Sequence, residues 1–124
     1  MAKKKILIVD DEEAYTRMFQ AVLEDSGEYE VRIENTSPNA VKSIKSFQPE
    51  LIILDVIMPV MSGIEVAEKL KEDQALSKIP IIFLTATAYR DAPAKHHEIL
   101  QQAKVLSKPI TVESLEVAIK SALK

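Results

Sequence analysis

Residues 51–63 read LIILDVIMPVMSG. The opening run, taken as a strand from Glu50 to Leu54, is aliphatic without polar alternation, the pattern of a strand covered on both faces, and Asp55 follows it at once. Three other runs share this character: Lys5 to Val9, Pro80 to Leu84, and a weaker one around Lys104 to Leu106. Tyr29 to Glu34 differs, because Tyr29, Val31 and Ile33 alternate with Glu30, Arg32 and Glu34, as expected of a half-exposed strand at a sheet edge.

Helical spacing fills the intervals. Tyr15, Met18, Phe19, Val22 and Leu23 recur on one helical stripe, and Gly27 sits where a C-terminal cap belongs. Ser37 followed by Pro38 reads as an N-cap and first helical residue, leading through Val41, Ile44 and Phe47 to a stop at Pro49. A third helix begins near Gly63 and carries Ile64, Val66, Ala67 and Leu70. A fourth uses Ile99, Leu100 and Ala103, and a fifth starts at the cap Thr111 and runs through Val112, Leu115, Ile119 and Leu123. Five alternations of strand and helix predict an α/β fold, a doubly wound five-stranded parallel sheet with five helices.

The chain of 124 residues suits one domain, spanning residues 1–124, with no repeat, low-complexity segment or linker. Apolar residues at 47% and charged residues at 28% fit a globular protein, and a net charge of -3 supplies no electrostatic reason for direct nucleic acid binding. A protein partner is expected instead. Without cysteine there is neither a disulfide nor a thiolate zinc site. The run from Ile6 to Val9 after Lys3, Lys4 and Lys5 is too short for a secretory signal, and no stretch approaches the roughly 20 apolar residues of a membrane span. A cytoplasmic location without membrane association is expected. Two glycines, Gly27 and Gly63, are too few for a phosphate-cradling nucleotide loop.

Open parallel sheets place their sites beyond the carboxyl ends of the strands. The residues there are Asp10 and Asp11, Asp55, Thr85, and Ser107 with Lys108. Three carboxylates at one rim repel one another and call for a cation, and an all-oxygen set without histidine or cysteine suits Mg2+ rather than zinc. A metal, a lysine and a hydroxyl are the groups that stabilise a phosphoryl group in transfer. An ionised Asp needs no separate base to act as nucleophile, and Asp55, between Thr85 and the acidic pair, is the better candidate.

The segments Ile6 to Asp11 (ILIVDD), Leu51 to Gly63, Ile81 to Ala86 (IIFLTA) and Ser107 to Pro109 (SKP) together resemble the receiver domains of two-component response regulators, over essentially the whole chain. The resemblance implies the flavodoxin-like, CheY-like sheet order 2-1-3-4-5 and phosphorylation of Asp55 by a histidine kinase or histidine phosphotransfer protein. Asp11 and Asp55 would bind Mg2+ directly, Asp10 through water, and Ile57 through its main-chain carbonyl. Thr85 and Lys108 would contact the phosphoryl group, Lys108-Pro109 would be cis, and the surface of the fourth helix, fifth strand and fifth helix would meet a downstream protein target or an effector domain outside this chain. Such a domain is a switch that catalyses only its own phosphorylation and slow dephosphorylation, as a monomer or a phosphorylation-dependent dimer.

Val105 departs from the resemblance, standing three residues before Lys108 where Tyr or Phe is usual; Tyr89 is a candidate substitute. Ile57 and Thr87 would flank the water that removes the phosphoryl group, and apolar Ile57 offers that water no hydrogen bond. His96 falls on the stripe of the fourth helix as a core residue, and His97 is expected exposed. Glu12 and Glu13 suit the electropositive start of the first helix, with Glu12 also near enough to the site to affect metal affinity. Met58 and Met61 read as packing residues, Lys42 and Lys45 as a solvated face. Two other functions remain open: a phosphorylation-independent interaction module, and a haloacid-dehalogenase-like phosphatase, for which Glu12 follows Asp10 at the right distance but without a supporting motif.

Overall fold

The structure is a computed structural model and describes residues 3–85 and 104–123. Five parallel strands, β1 (Lys4–Val9), β2 (Tyr29–Glu34), β3 (Leu51–Asp55), β4 (Ile81–Thr85) and β5 (Lys104–Ser107), form one sheet in the order β2-β1-β3-β4-β5. The described helices are α1 (Glu13–Asp25), α2 (Ala40–Phe47), α3 (Gly63–Lys71) and α4 (Val112–Ala122), the last being the fifth of the sequence expectation. The expected helix with Ile99, Leu100 and Ala103, together with Tyr89, Thr87, His96 and His97, lies outside the described residues. β2 is an edge strand, as its alternation predicts.

Successive side chains of each central strand point to opposite faces, so the aliphatic runs feed two separate cores. Leu7, Val9, Ile52, Leu54 and Phe83 pack with Ile44, Phe47, Ile64 and Leu70 beneath α2 and α3. Ile6, Ile8, Leu51, Ile53, Ile82 and Leu84 pack with Phe19, Leu23, Leu115 and Ile119 beneath α1 and α4. Every residue of β3 is buried, which is why its sequence shows no alternation. Met58 is buried in the first of these cores and Met61 packs against it, while Lys42 and Lys45 are exposed.

Local chemistry sets the helix ends. Ser62 Oγ accepts from the Glu65 amide at the start of α3, and Thr111 Oγ1 accepts from the Ser114 amide at the start of α4. Gly27, at φ +80°, takes the left-handed conformation after α1. Two details depart from the pattern. Met18 and Val22 of the α1 stripe are exposed at 44% and 36%, because the buried face runs through Thr16, Phe19 and Leu23. Ser37 opens a 3-10 turn, Ser37–Asn39, ahead of α2; its buried hydroxyl donates to the Pro59 carbonyl at 2.9 Å instead of capping. That bond ties the approach to α2 to the loop after β3.

Gly63 starts α3 with no room for a side chain. A Cβ there would overlap the Asp55 carbonyl oxygen and lie 2.9 Å from its carbon and 3.1 Å from Val56 Cα, while the Gly63 amide donates to the Val56 carbonyl at 2.8 Å. Gly63→Ala must therefore push α3 away from the end of β3. We expect a loss of about 1–3 kcal/mol in urea unfolding; a variant as stable as the wild type would show that the contact relaxes freely.

Candidate functional site

Strand register assembles the site. Val9 pairs with Leu54 and Asp55 with Leu84, so Asp10 and Asp55 leave neighbouring strands side by side and Thr85 ends the next. Main-chain bonds continue past the strand ends: Asp10 N–H to Glu34 O at 3.2 Å, Val56 N–H to Leu84 O at 2.8 Å, and Lys108 N–H to Thr85 O at 2.8 Å. They hold the site residues on the rigid sheet rather than on free loops. Lys108-Pro109 is cis, as the resemblance to receiver domains implies.

Asp10, Asp55 and Thr85 are buried and Asp11 is exposed. Asp10, Asp11 and Asp55 each present a carboxylate oxygen within 4.8 Å of the others. Lys108 Nζ lies 3.1 Å from Asp10 Oδ2, 3.3 Å from Glu12 Oε1 and 3.5 Å from Asp55 Oδ2. The expected convergence of Asp10, Asp11, Asp55 and Lys108 is thus present, with Thr85 at the adjoining strand end. Ile57 stands 57% exposed on the loop that follows Asp55.

Burial is the largest influence on Asp55 and raises its carboxyl; the Asp10 charge raises it further, Lys108 opposes, and an Asp10 hydrogen bond and the Asp11 charge add to the rise, giving about 7 against an ordinary 3.8. For Lys108, burial pulls the ammonium down, but the hydrogen bond and charge of Asp10, the charge of Asp55 and the bond to Glu12 outweigh it and hold the group above its ordinary value. Lys108 stays charged at neutral pH, yet one ammonium does not satisfy three carboxylates. The excess of negative oxygen in a partly buried cluster fits a hard divalent cation.

The loop from Val56 to Ser62 leads away from Asp55 under strain. Val60 has φ 70°, a left-handed conformation that is costly for a β-branched residue, and the Met61 amide closes a three-residue turn onto the Pro59 carbonyl at 2.8 Å. The Ser37 hydroxyl on that same carbonyl helps to keep the turn in place.

Several supporting contacts escaped the sequence reading. Asn35 Nδ2 donates to the Asp10 carbonyl at 2.7 Å and to Thr16 Oγ1 at 3.2 Å, fixing the main chain at the first acid. It is the first residue beyond β2, so the strand-end rule that finds Asp10 reaches it too. Glu12 occupies the N-cap position of α1 without a side-chain capping bond; its carboxylate turns to Lys108 instead, which only the fold reveals. Tyr15 Oη accepts from the Ile110 amide at 3.0 Å, a contact across 95 residues. Val105 is half-buried and packs against the core under α2 and α3.

Comparison with known proteins follows the same lines. The chain matches the response regulator receiver domain family over residues 6–120. It is similar to the polar-differentiation response regulator DivK of Brucella ovis, at 34% identity over 97% of this chain and 96% of that protein. It is also similar to the response regulator Rre1 of Synechocystis, at 32% identity over 95% of this chain but about half, 51%, of that longer protein. Among solved structures, the receiver domain of sensor histidine kinase PA1611 from Pseudomonas aeruginosa, described with a magnesium ion coordinated in its active site cleft, superposes with a TM-score of 0.81 at 26% identity, over 98% of each chain. The chain belongs to the receiver domain family of two-component response regulators, whose members work with histidine kinases and downstream targets and are generally phosphoacceptor switches. No described helix is long and apolar enough to cross a membrane.

The raised Asp55 carboxyl has a consequence for stability. The native state keeps this proton up to about pH 7, whereas the unfolded chain releases it near 3.8, so the metal-free protein loses stability as pH rises through that window and is penalised fully above it. In metal-free buffer Asp55→Asn is expected to be more stable than the wild type by about 1–3 kcal/mol at pH 8, with the difference shrinking toward pH 5. Thermal unfolding at the two pH values measures this, and an equal difference at both would count against a strained Asp55.

Proposed function

We propose that the chain is a Mg2+-dependent phosphoacceptor switch in which Asp55 receives a phosphoryl group from a histidine kinase or histidine phosphotransfer protein. The carrying observation is the buried Asp55 carboxylate at the end of a central strand, with Asp10 and Asp11 oxygens within 4.8 Å and the Lys108 ammonium at 3.5 Å. A magnesium ion coordinated in the cleft of the PA1611 receiver domain supports the same ion here.

Asp11 and Asp55 would hold Mg2+ directly, with Asp10 through water and the Ile57 carbonyl completing the protein's share. Bound there, the ion supplies positive charge to the equatorial oxygens of the phosphoryl group and offsets repulsion among the acids. An Asp55 carboxylate oxygen attacks phosphorus, forming an acyl phosphate, as the bond to the donor nitrogen, or to the acetate oxygen of acetyl phosphate, breaks and its electron pair leaves with the donor. The sheet holds the attacking oxygen in place, which supports transfer by positioning rather than by a separate base. Lys108, charged at neutral pH and already within reach, pairs with the arriving anion, and the Thr85 hydroxyl at the end of β4 turns to it as a donor. The output surface would include β5 and α4, together with the helix expected around Ile99, Leu100 and Ala103, which lies outside the described residues.

Incubation with acetyl phosphate and Mg2+ should add one phosphoryl mass to the intact protein, with none added in Asp55→Asn or in EDTA. A wild type that accepts nothing from acetyl phosphate or any histidine kinase would leave a phosphorylation-independent interaction module as the better reading. Ile57, exposed and apolar beside Asp55, gives an attacking water no hydrogen bond, so the phosphorylated state should be long-lived. Ile57→Asn is expected to shorten its half-life several-fold, followed by the decay of phosphorylated protein on intact mass; an unchanged half-life would remove Ile57 from control of lifetime.

A further inference from the structure

We propose that Tyr15 is a positioning residue for Lys108: its ring forms a shelf for the ammonium while its hydroxyl holds the main chain two residues further on. The proposal rests on the reading of Lys108 as a phosphoryl-binding group and adds the element that keeps it in reach.

Lys108 Nζ lies 5.4 Å from the centroid of the Tyr15 ring, in cation–π range. The same phenol accepts from the Ile110 amide at 3.0 Å and donates, at a longer 3.5 Å, to the Ile110 carbonyl. Phe19 braces the ring edge-on, with centroids 4.7 Å apart and planes at 86°, and Phe19 is itself buried against the sheet. One side chain of α1 therefore grips the segment after β5 at two points, the ammonium of Lys108 and the main chain of Ile110.

An ammonium has three donors, and Asp10, Glu12 and Asp55 oxygens lie close enough to draw all three. Without a further contact, a four-carbon stem would follow the strongest carboxylate, and the Asp10 pair is the shortest and most buried. The aromatic face attracts the charge without taking a hydrogen bond, so a donor can turn to an arriving phosphoryl oxygen while the ammonium stays in place. Glu12 does not serve this purpose, since its carboxylate is exposed and competes for a donor.

Two measurements test the proposal. In metal-free protein, the Lys108 Cε and Hε resonances should be displaced by the ring in the wild type and Tyr15→Phe, and lose that displacement in Tyr15→Leu. With acetyl phosphate and Mg2+, the saturating phosphorylation rate should fall about 3- to 10-fold in Tyr15→Leu and stay within about twofold in Tyr15→Phe. In a Lys108→Ala background Tyr15→Leu should then have no further effect. Should Tyr15→Leu fold poorly by circular dichroism, Tyr15→Met replaces it, keeping the bulk without the ring.

Lys108 resonances indifferent to Tyr15→Leu overturn the shelf. A rate unchanged by Tyr15→Leu, or effects of the two substitutions that multiply independently, overturn the positioning role while leaving the phosphorylation reading intact. A wild type that takes up no phosphoryl group overturns that reading and the positioning role with it, whereas the resonance measurement still decides the contact.

Discussion

The ion cluster that Lys108 forms with Asp10 and Asp55 is the interaction on which the rest of the site depends. Two carboxylates buried at neighbouring strand ends oppose each other and lose hydration together, and among the described residues the ammonium of Lys108, 3.1 Å and 3.5 Å away, is their counter-charge. The balance is incomplete. Burial above all, and then the charge of Asp10, raises the Asp55 carboxyl to about 7 despite Lys108. A bound cation would relieve this imbalance.

The sheet makes that arrangement sustainable. Two apolar cores clamp β1, β3 and β4 from both faces, and the backbone ladder runs past the strand ends into Asp10, Val56 and Lys108. The acids cannot relieve their repulsion by moving the main chain. Asn35 on the Asp10 carbonyl and Gly63 against the Asp55 carbonyl extend this restraint to the flanking segments. The tension is concentrated instead in side chains and in the loop after β3, where Val60 takes a left-handed conformation and Ser37 secures the turn.

α1 contributes more than a covering layer. Its N-cap position supplies Glu12 to Lys108 and its first turn supplies Tyr15 to both Lys108 and Ile110, so the start of α1 is joined to the segment following β5 by contacts separated by about 95 residues in sequence. Val105 packs into the opposite core, and the aromatic ring beside Lys108 comes from α1. The exposed apolar residues Met18 and Val22 lie on the outer side of this same helix.

Strand identity, the parallel sheet and the acids at its rim were legible in the sequence, because burial on two faces demands unbroken aliphatic runs and a carboxylate is conspicuous where such a run ends. The edge position of β2 was equally legible, since one solvated face imposes alternation. Side-chain destinations were not. Periodicity put Met18 and Val22 on a buried stripe that is wider than the face α1 actually covers, and residue type made Ser37 a cap although its hydroxyl reaches Pro59. Glu12, Asn35 and Tyr15 are unremarkable in composition and acquire their roles only when strands distant in sequence place Lys108, Asp10 and Ile110 beside them. The sequence by itself determined which groups stand at the strand ends, because that follows from local pattern. Tertiary structure alone decided which of them share a charge, lose their water and hold one another in place, because those depend on distances that no local pattern encodes.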